Sequence, residues 1–386
     1  MRKLSLYISL ATIGLSPLTA FAEVHDARAM ARGGVGLTMG EYNQSLKNPA
    51  LLSSFDKDDD FSFALNVGVF ASDKDGMIQK TDDVQTAIDD LEAGHGSANA
   101  VNQAMKELDK KLALVDIGGA VLIGIPNKHI PLAFMTKSSI SFGAAFNYNP
   151  TDFVQLNSCI AGLSCNLNNL QSTVNASAIG ITEAGLMFGK PFENGLEVGL
   201  TLKGQQIDLI SYSATVTQFD TADISDSNDL KTHNNVNMDI GGIMRFGAEK
   251  NFSVAATVEN LIGKTFEGPK NKVTGINSQY DLEPVAVAAV GYSNTYFKIE
   301  ANTDLTPRKG FDKLLETQFT RVGMELSAGR HFHLRAGYRT DSKSNVSDVV
   351  TAGIGITPFD RLNIDIAAML GDGDTAGVGL QLGFKI

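Results

Sequence analysis

The chain has 386 residues, a formal net charge of −11, 38 glycines and no tryptophan. That acidity, with no basic stripe to offset it, excludes a nucleic-acid grip through phosphates. A mean hydropathy of −0.02 excludes a bundle of membrane helices but not a β-barrel, in which lipid-facing and inward positions average out.

Residues 1–22 read as a cleavable signal peptide. Arg2 and Lys3 precede the apolar run Leu4–Leu15, and Ala20-Phe21-Ala22 supplies the small-residue cleavage site. The run is too short for an anchor, and no later segment offers about 20 uninterrupted apolar residues. The mature chain is therefore expected to be exported: soluble, secreted or inserted in an outer membrane. Residues 23–58 follow, rich in Gly and Ala and running into the acidic stretch Asp56–Asp60, with no strand alternation. If the rest closes into a barrel, the lumen is the natural place for this segment, as a hatch. Gly33, Gly34 and Gly36 invite comparison with a phosphate-binding loop. No strand precedes them and the spacing is wrong, so tight turns are expected.

From Phe61 to Ile386 apolar and polar side chains alternate, as in Phe384, Leu382, Leu380 and Val378 against Lys385, Gly383, Gln381 and Gly379. Period two gives strands with two unlike faces. Strands are expected near 61–70, 114–125, 130–148, 177–190, 195–210, 236–248 and 252–260. They continue near 283–292, 296–305, 317–327, 331–341, 349–357, 361–370 and 375–386, about fourteen in all, an even number as single-chain barrels require. Short connections such as 126–128 and 191–194 take turns with long ones such as 71–113 and 149–176. Outer-membrane barrels put short turns in the periplasm and long loops outside. The expected architecture is thus an all-β membrane protein, an antiparallel transmembrane β-barrel of about 14 strands with an N-terminal luminal hatch. The layout is signal peptide 1–22, hatch 23–58 and barrel 59–386.

The longest connection carries a helical pattern, Val84, Ile88 and Leu91 and then Val101, Met105, Leu108 and Leu112. Gly94-His95-Gly96 breaks it and Ser97 can cap the second helix. An extracellular helical hairpin is expected within 77–113, either a partner-binding or lid element or a packed cap that shields the barrel mouth. Cys159 and Cys165 are expected to close a small disulfide loop in an exported chain. The inward face should carry Glu183, Lys203, Asp239, Arg245, Glu300, Arg321, Glu325 and Arg335, with both signs in near balance. That balance points to ion pairs rather than an ion-selective pore. No nucleophile elbow and no zinc-protease motif is present. His331 and His333 alone make a poor metal site. No catalytic, cofactor or metal site is expected, and the chain reads as a non-enzyme.

Ala27-Arg28-Ala29-Met30-Ala31-Arg32-Gly33-Gly34-Val35-Gly36, followed by Asn48-Pro49-Ala50-Leu51-Leu52, resembles the start of the FadL-type outer-membrane barrels. In that superfamily a Gly-rich stretch and an Asn-Pro-Ala motif belong to the hatch, so the resemblance implies hatch roles for Gly33, Gly34, Gly36, Asn48 and Pro49. A closer likeness is to the TraF-type conjugal transfer family. It shows in Asp59-Asp60-Phe61-Ser62, in Gln218-Phe219-Asp220-Thr221, in Leu334-Arg335-Ala336-Gly337-Tyr338-Arg339 and in the run from Asp348 to Asp360. The resemblance implies an outer-membrane location and an association with conjugative transfer. Its implied partners are membrane lipid and conjugation-apparatus proteins. The FadL likeness offers the alternative of a channel for hydrophobic small molecules. One departure concerns the end of the chain: it stops at Ile386, so Phe384 is expected to supply the terminal aromatic of the insertion signal.

Overall fold

The computed structural model describes residues 26–55, 59–160, 167–218, 230–273, 275–312 and 314–386. The signal peptide, Asp56 and Cys165 lie outside the described residues, and so does the expected disulfide. Among the described residues sixteen strands form. β1 (Ser62–Asp73), β2 (Leu112–Ile125), β3 (Leu132–Asn147), β4 (Thr173–Pro191), β5 (Leu196–Thr215), β6 (Leu230–Phe246) and β7 (Phe252–Glu259) make the first half of the wall. β10 (Val285–Ser293), β11 (Phe297–Asp304), β12 (Phe319–Ala328), β13 (Phe332–Asp341), β14 (Val349–Ile356), β15 (Leu362–Gly371) and β16 (Asp374–Lys385) make the second. Each pairs antiparallel with its neighbours in sequence, and β1 pairs with both β2 and β16, so fourteen strands close a barrel. No helix among the described residues is long and apolar enough to cross a membrane.

Closure follows from the alternation. Leu65, Val67, Val290, Ile354, Leu370 and Val378 point outward and are exposed, an arrangement suited to lipid. Phenylalanines gather at the short-turn end, where Phe63 and Leu362 flank Phe384 across the strands. There the Phe246 ring lies 5.9 Å from Phe252, which lies 5.2 Å from Tyr292. This is an aromatic girdle built without tryptophan. Ile386 does not hang free, because its N–H donates to the Phe61 carbonyl at 3.1 Å.

The stretch 261–282, expected to be a plain loop, holds a separate two-stranded sheet of β8 (Lys264–Lys270) and β9 (Asn277–Leu282). It folds inward: Phe266, Tyr280 and Leu282 pack with Phe311 and Leu314 against Ile179, Ile207 and Leu209 of the inner wall. The long-loop mouth is closed by this layer.

The helical insertion lies elsewhere. α1 belongs to the N-terminal segment described below (Ala27–Ala31); the insertion holds α2 (Met77–Glu92) and α3 (Ala98–Leu108), joined at Gly94 in the left-handed region, φ 76°. The Ser97 hydroxyl accepts from the Ala100 N–H at 3.2 Å and caps α3. A further helix, α4 (Asp152–Ile160), joins them. Val84, Ile88, Val101, Met105 and Leu156 pack on Phe146, with Ala113, Ala144 and Val174 beside them. Gly143 faces the inside, against Leu314, so Ala144 and Phe146 point out. The helices therefore stand against the outer face of β2–β4 at its long-loop end.

Candidate functional site: the filled lumen

Residues 26–55 run inside the barrel. α1 is capped by Asp26, whose carboxylate accepts from the Ala29 N–H at 2.9 Å. Gly33 and Gly34 then turn the chain at φ 73° and 94°, conformations that cost other residues strain. A second cap, Asn48, accepts from the Ala50 N–H at 3.0 Å and starts a 3₁₀ turn at Pro49–Ser53. Wall glycines make the fit. A Cβ at Gly323 or Gly337 would run into the Arg32 backbone, and one at Gly199 or Gly241 into Pro49 or Asn48. Glycine is needed there for close approach rather than for a special φ.

Charge holds the same contact. Glu300 of β11 receives the backbone N–H groups of Gly36 at 3.0 Å, Leu37 at 2.9 Å, Thr38 at 2.8 Å and Met39 at 3.3 Å, and the Thr38 hydroxyl at 2.7 Å. Successive amides in a turn make an anion-binding concavity. The amides of residues 36–39, just after the glycine turn, thus form an anion cradle with a wall carboxylate as its anion. Sequence reasoning passed this over because the partner lies more than 260 residues away.

A chain of ion pairs crosses from segment to wall. Glu41 meets Arg28 at 3.1 Å, Arg28 meets Asp365 at 2.6 Å, Asp365 meets Arg335 at 2.7 Å and Arg335 meets Glu325 at 2.6 Å. Arg32 at 3.3 Å and Lys298 at 3.2 Å complete Glu325. Burial works against the Arg28 charge, but Asp365 and Glu41 outweigh it and raise its pKa above the ordinary value. Burial dominates at Arg32 and lowers its pKa against the pull of Glu325. Glu41 is half-exposed, and Arg28 and Lys298 hold its pKa down at about 2.

The expected inward residues fall into separate groups. Glu325 and Arg335 belong to the chain just described, and Glu300 to the cradle. Glu183 joins Lys137 at 2.8 Å and Lys203 at 2.9 Å, and Lys203 reaches Asp239 at 2.8 Å. Arg321 pairs with Asp304 at 2.8 Å. Arg245 pairs with Glu197 at 2.9 Å and donates to the Thr38 carbonyl at 3.2 Å. Removing one partner of a buried pair of this kind leaves an uncompensated charge, at a cost of about 3–5 kcal/mol. His331 faces Asp360 at 3.6 Å, and His333 lies 2.9 Å from the Ser327 hydroxyl. Among the described residues no cluster of three or more metal-ligating side chains occurs.

Between the segment and the long loops lies a cavity of about 50 Å³, mainly apolar, bounded by Phe70, Leu112, Leu114, Leu314, Phe319 and Met369. Arg339 roofs two of its rings, 5.0 Å from Phe70 and 4.6 Å from Phe319.

A closed fourteen-stranded antiparallel barrel with a lipid-facing belt and a filled lumen defines an outer-membrane β-barrel. The chain belongs to the family described as the F plasmid transfer operon TraF protein, whose model matches residues 45–304. In fold it is similar to the toluene transporter TbuX of Ralstonia pickettii, at TM-score 0.58 and 10% identity over 95% of this chain and 99% of that one. The P. putida toluene transporter TodX gives TM-score 0.54 and 12% identity over 95% and 99%. The monoaromatic hydrocarbon channel CymD gives 0.52 and 9% over 95% and 98%. At such identities the likeness is one of fold alone. Among curated proteins no sequence matches this chain.

Proposed function

We propose that this protein is a non-catalytic outer-membrane component of a conjugative transfer system, acting through its cell-surface elements rather than through its pore. The short-turn end, with its aromatic girdle, faces the periplasm, and the long-loop end faces outward. Residues 26–55 act as a hatch. The observation that carries this reading is the placement of α2, α3 and α4 against the outer wall. There they are free of any role in closing the lumen and stand clear as a surface for proteins of the transfer apparatus. Family membership supplies the context.

The test is removal of residues 77–108 in a donor strain, with a short turn joining β1 to β2. Ser72 and Leu114 are already cross-strand partners, so the wall can close. Transfer frequency should fall while the unheated protein still migrates faster than the boiled one on a denaturing gel. Undiminished transfer would sink the reading.

The apolar cavity favours a second reading, passage of hydrophobic small molecules as in the structural neighbours. Its volume supports the first reading over this one: about 50 Å³ compares with the roughly 150 Å³ of a cavity that holds benzene. A hydrocarbon would need the long loops to move.

A further inference from the structure

β6 stands taller than the strand beside it. It has 17 residues and pairs with β5 from Leu230 to Met244, whereas β7 has 8 residues and covers only Ile240–Phe246. Above β7, one edge of β6 has no partner strand among the described residues. Two bonds fix which backbone groups face that edge. The Arg245 N–H donates to the Gly195 carbonyl on the β5 side at 3.0 Å, and the Met238 carbonyl accepts from the Leu261 N–H on the other side at 2.9 Å. In an antiparallel strand the N–H and C=O of one residue point the same way and alternate along the chain. Odd-numbered residues therefore bond β5, and both backbone groups of Leu230, Thr232, Asn234 and Val236 face the open side. Met238 ends this stretch, because Leu261 takes its carbonyl and the Asn237 side chain takes its N–H at 2.9 Å.

The outer face places the open edge above the lipid. Lower down it carries exposed Leu202 and Ile240. At the level of the edge it turns polar: Gln206 is the cross-strand partner of Asn234, and Asp208 that of Thr232. The Thr232 hydroxyl donates to the Asp208 carboxylate at 2.6 Å, and charged groups on a barrel wall belong outside the hydrocarbon. Strand edges in water are ordinarily blunted by proline, lysine, a bulge or a covering segment. Here the register with β5 is unbroken, and the four edge positions carry neither proline nor lysine. All four are exposed, Val236 by 72%. Val236, Leu261 and Ile262 add exposed apolar surface at the foot of the stretch. Lys231 and Glu267, 4.0 Å apart, offset each other's charge, so the edge selects an extended backbone rather than a charged one.

We propose that the open edge of β6, Leu230–Val236, is a docking site for an extended segment of a partner protein, which adds one strand above β7. The edge is about 20 Å long. Main-chain bonds to Leu230, Thr232, Asn234 and Val236 supply the grip, and apolar side chains of the segment rest on Val236, Leu261 and Ile262. The proposal rests on the conjugation reading and gives it a second contact surface, apart from the helices against β2–β4.

Transfer frequency from donor cells carrying single variants of the full chain tests it. Asn234→Pro removes one open-edge N–H and none from the β5 ladder. Val236→Lys puts on the edge the charge that natural proteins use to refuse a strand. Each should lower transfer at least tenfold while the unheated protein still migrates faster than the boiled one on a denaturing gel. Gln206→Ala changes the outer face of β5, leaves the edge intact and should transfer within twofold of wild type. Should Asn234→Pro fail to insert, Val236→Lys decides alone. Wild-type transfer in either folded edge variant would overturn the proposal, as would an equal fall in Gln206→Ala. Purified protein that is dimeric in detergent but monomeric as Asn234→Pro would give the edge to a second copy and likewise overturn it. Removal of residues 77–108 in parallel separates the two readings. If that deletion lowers transfer and the edge variants do not, the edge proposal alone falls; if neither does, the conjugation reading falls with it.

Discussion

Glu300 satisfies four consecutive hatch amides and one hydroxyl with a single carboxylate. Glu300→Ala leaves those donors buried without an acceptor, at about 1–3 kcal/mol for each that water cannot reach. The expected result is hydrogen exchange at residues 36–39 at least tenfold faster, with strand protection unchanged; equal protection at 36–39 would remove Glu300 from its role as latch. The inward side of Glu300 was legible from alternation along β11. Its ligands were not, because nothing local marks residues 36–39 as partners of a strand so far along the chain. Glu41 gives a pH dependence with a definite sign. Its folded pKa of about 2 lies below the ordinary 4.5, so its contribution to docking is complete above about pH 4.5 and is lost as the pH falls through about 2. Exchange of the hatch amides between pH 6 and pH 2.5, corrected for intrinsic rates, should show loosening only in the lower part of that window. Glu41→Gln should flatten the profile, and an unchanged profile in Glu41→Gln would assign the transition to another group.

Among the elements, strands were read well because each carries its own two-faced pattern, and paired partners lie next to one another in sequence. β8 and β9 were missed for two physical reasons. Gly268 and Pro269 interrupt the first, and the sheet pairs only with itself. The helices were legible from the stripe of Val84, Ile88, Val101 and Met105, but a 3.6-residue period says only that one face is buried, not against what. The outward direction of Phe146 becomes known only once the register of β3 is fixed. Met105, 0% exposed, is central to that packing. Met105→Ala removes buried volume worth about 2–5 kcal/mol, and the loss falls on the insertion rather than on the wall. Limited proteolysis should then cut between residues 93 and 97 more readily while heat-modifiable mobility stays as it was. A loss of mobility shift instead would mean that the helices support the barrel itself.

At the scale of the whole molecule, the lumen is closed twice in series. Residues 26–55 occupy the short-turn half through the Glu300 cradle and the Arg28–Asp365 pair. The β8–β9 sheet, with Phe311 and Leu314, closes the long-loop half against Ile179, Ile207 and Leu209. Neither closure contributes a strand to the fourteen-strand barrel. The bond from Leu261 to Met238 of β6 is, among the described residues, the one backbone link of the outer segment to the edge of that ladder, so each can be removed without taking a strand from the wall. Deleting residues 26–55 exposes Glu300, Glu325 and Asp365 to water that enters the emptied lumen, and solvated charges carry no burial penalty. Resistances in series make the larger one control the current. Deleting the hatch alone, or residues 261–282 alone, should therefore raise the conductance of planar bilayers only modestly. Deleting both should give stable open steps at least tenfold larger than either. If the hatch deletion alone reached the conductance of the double deletion, the outer sheet would be no barrier, and the lumen would have a single gate.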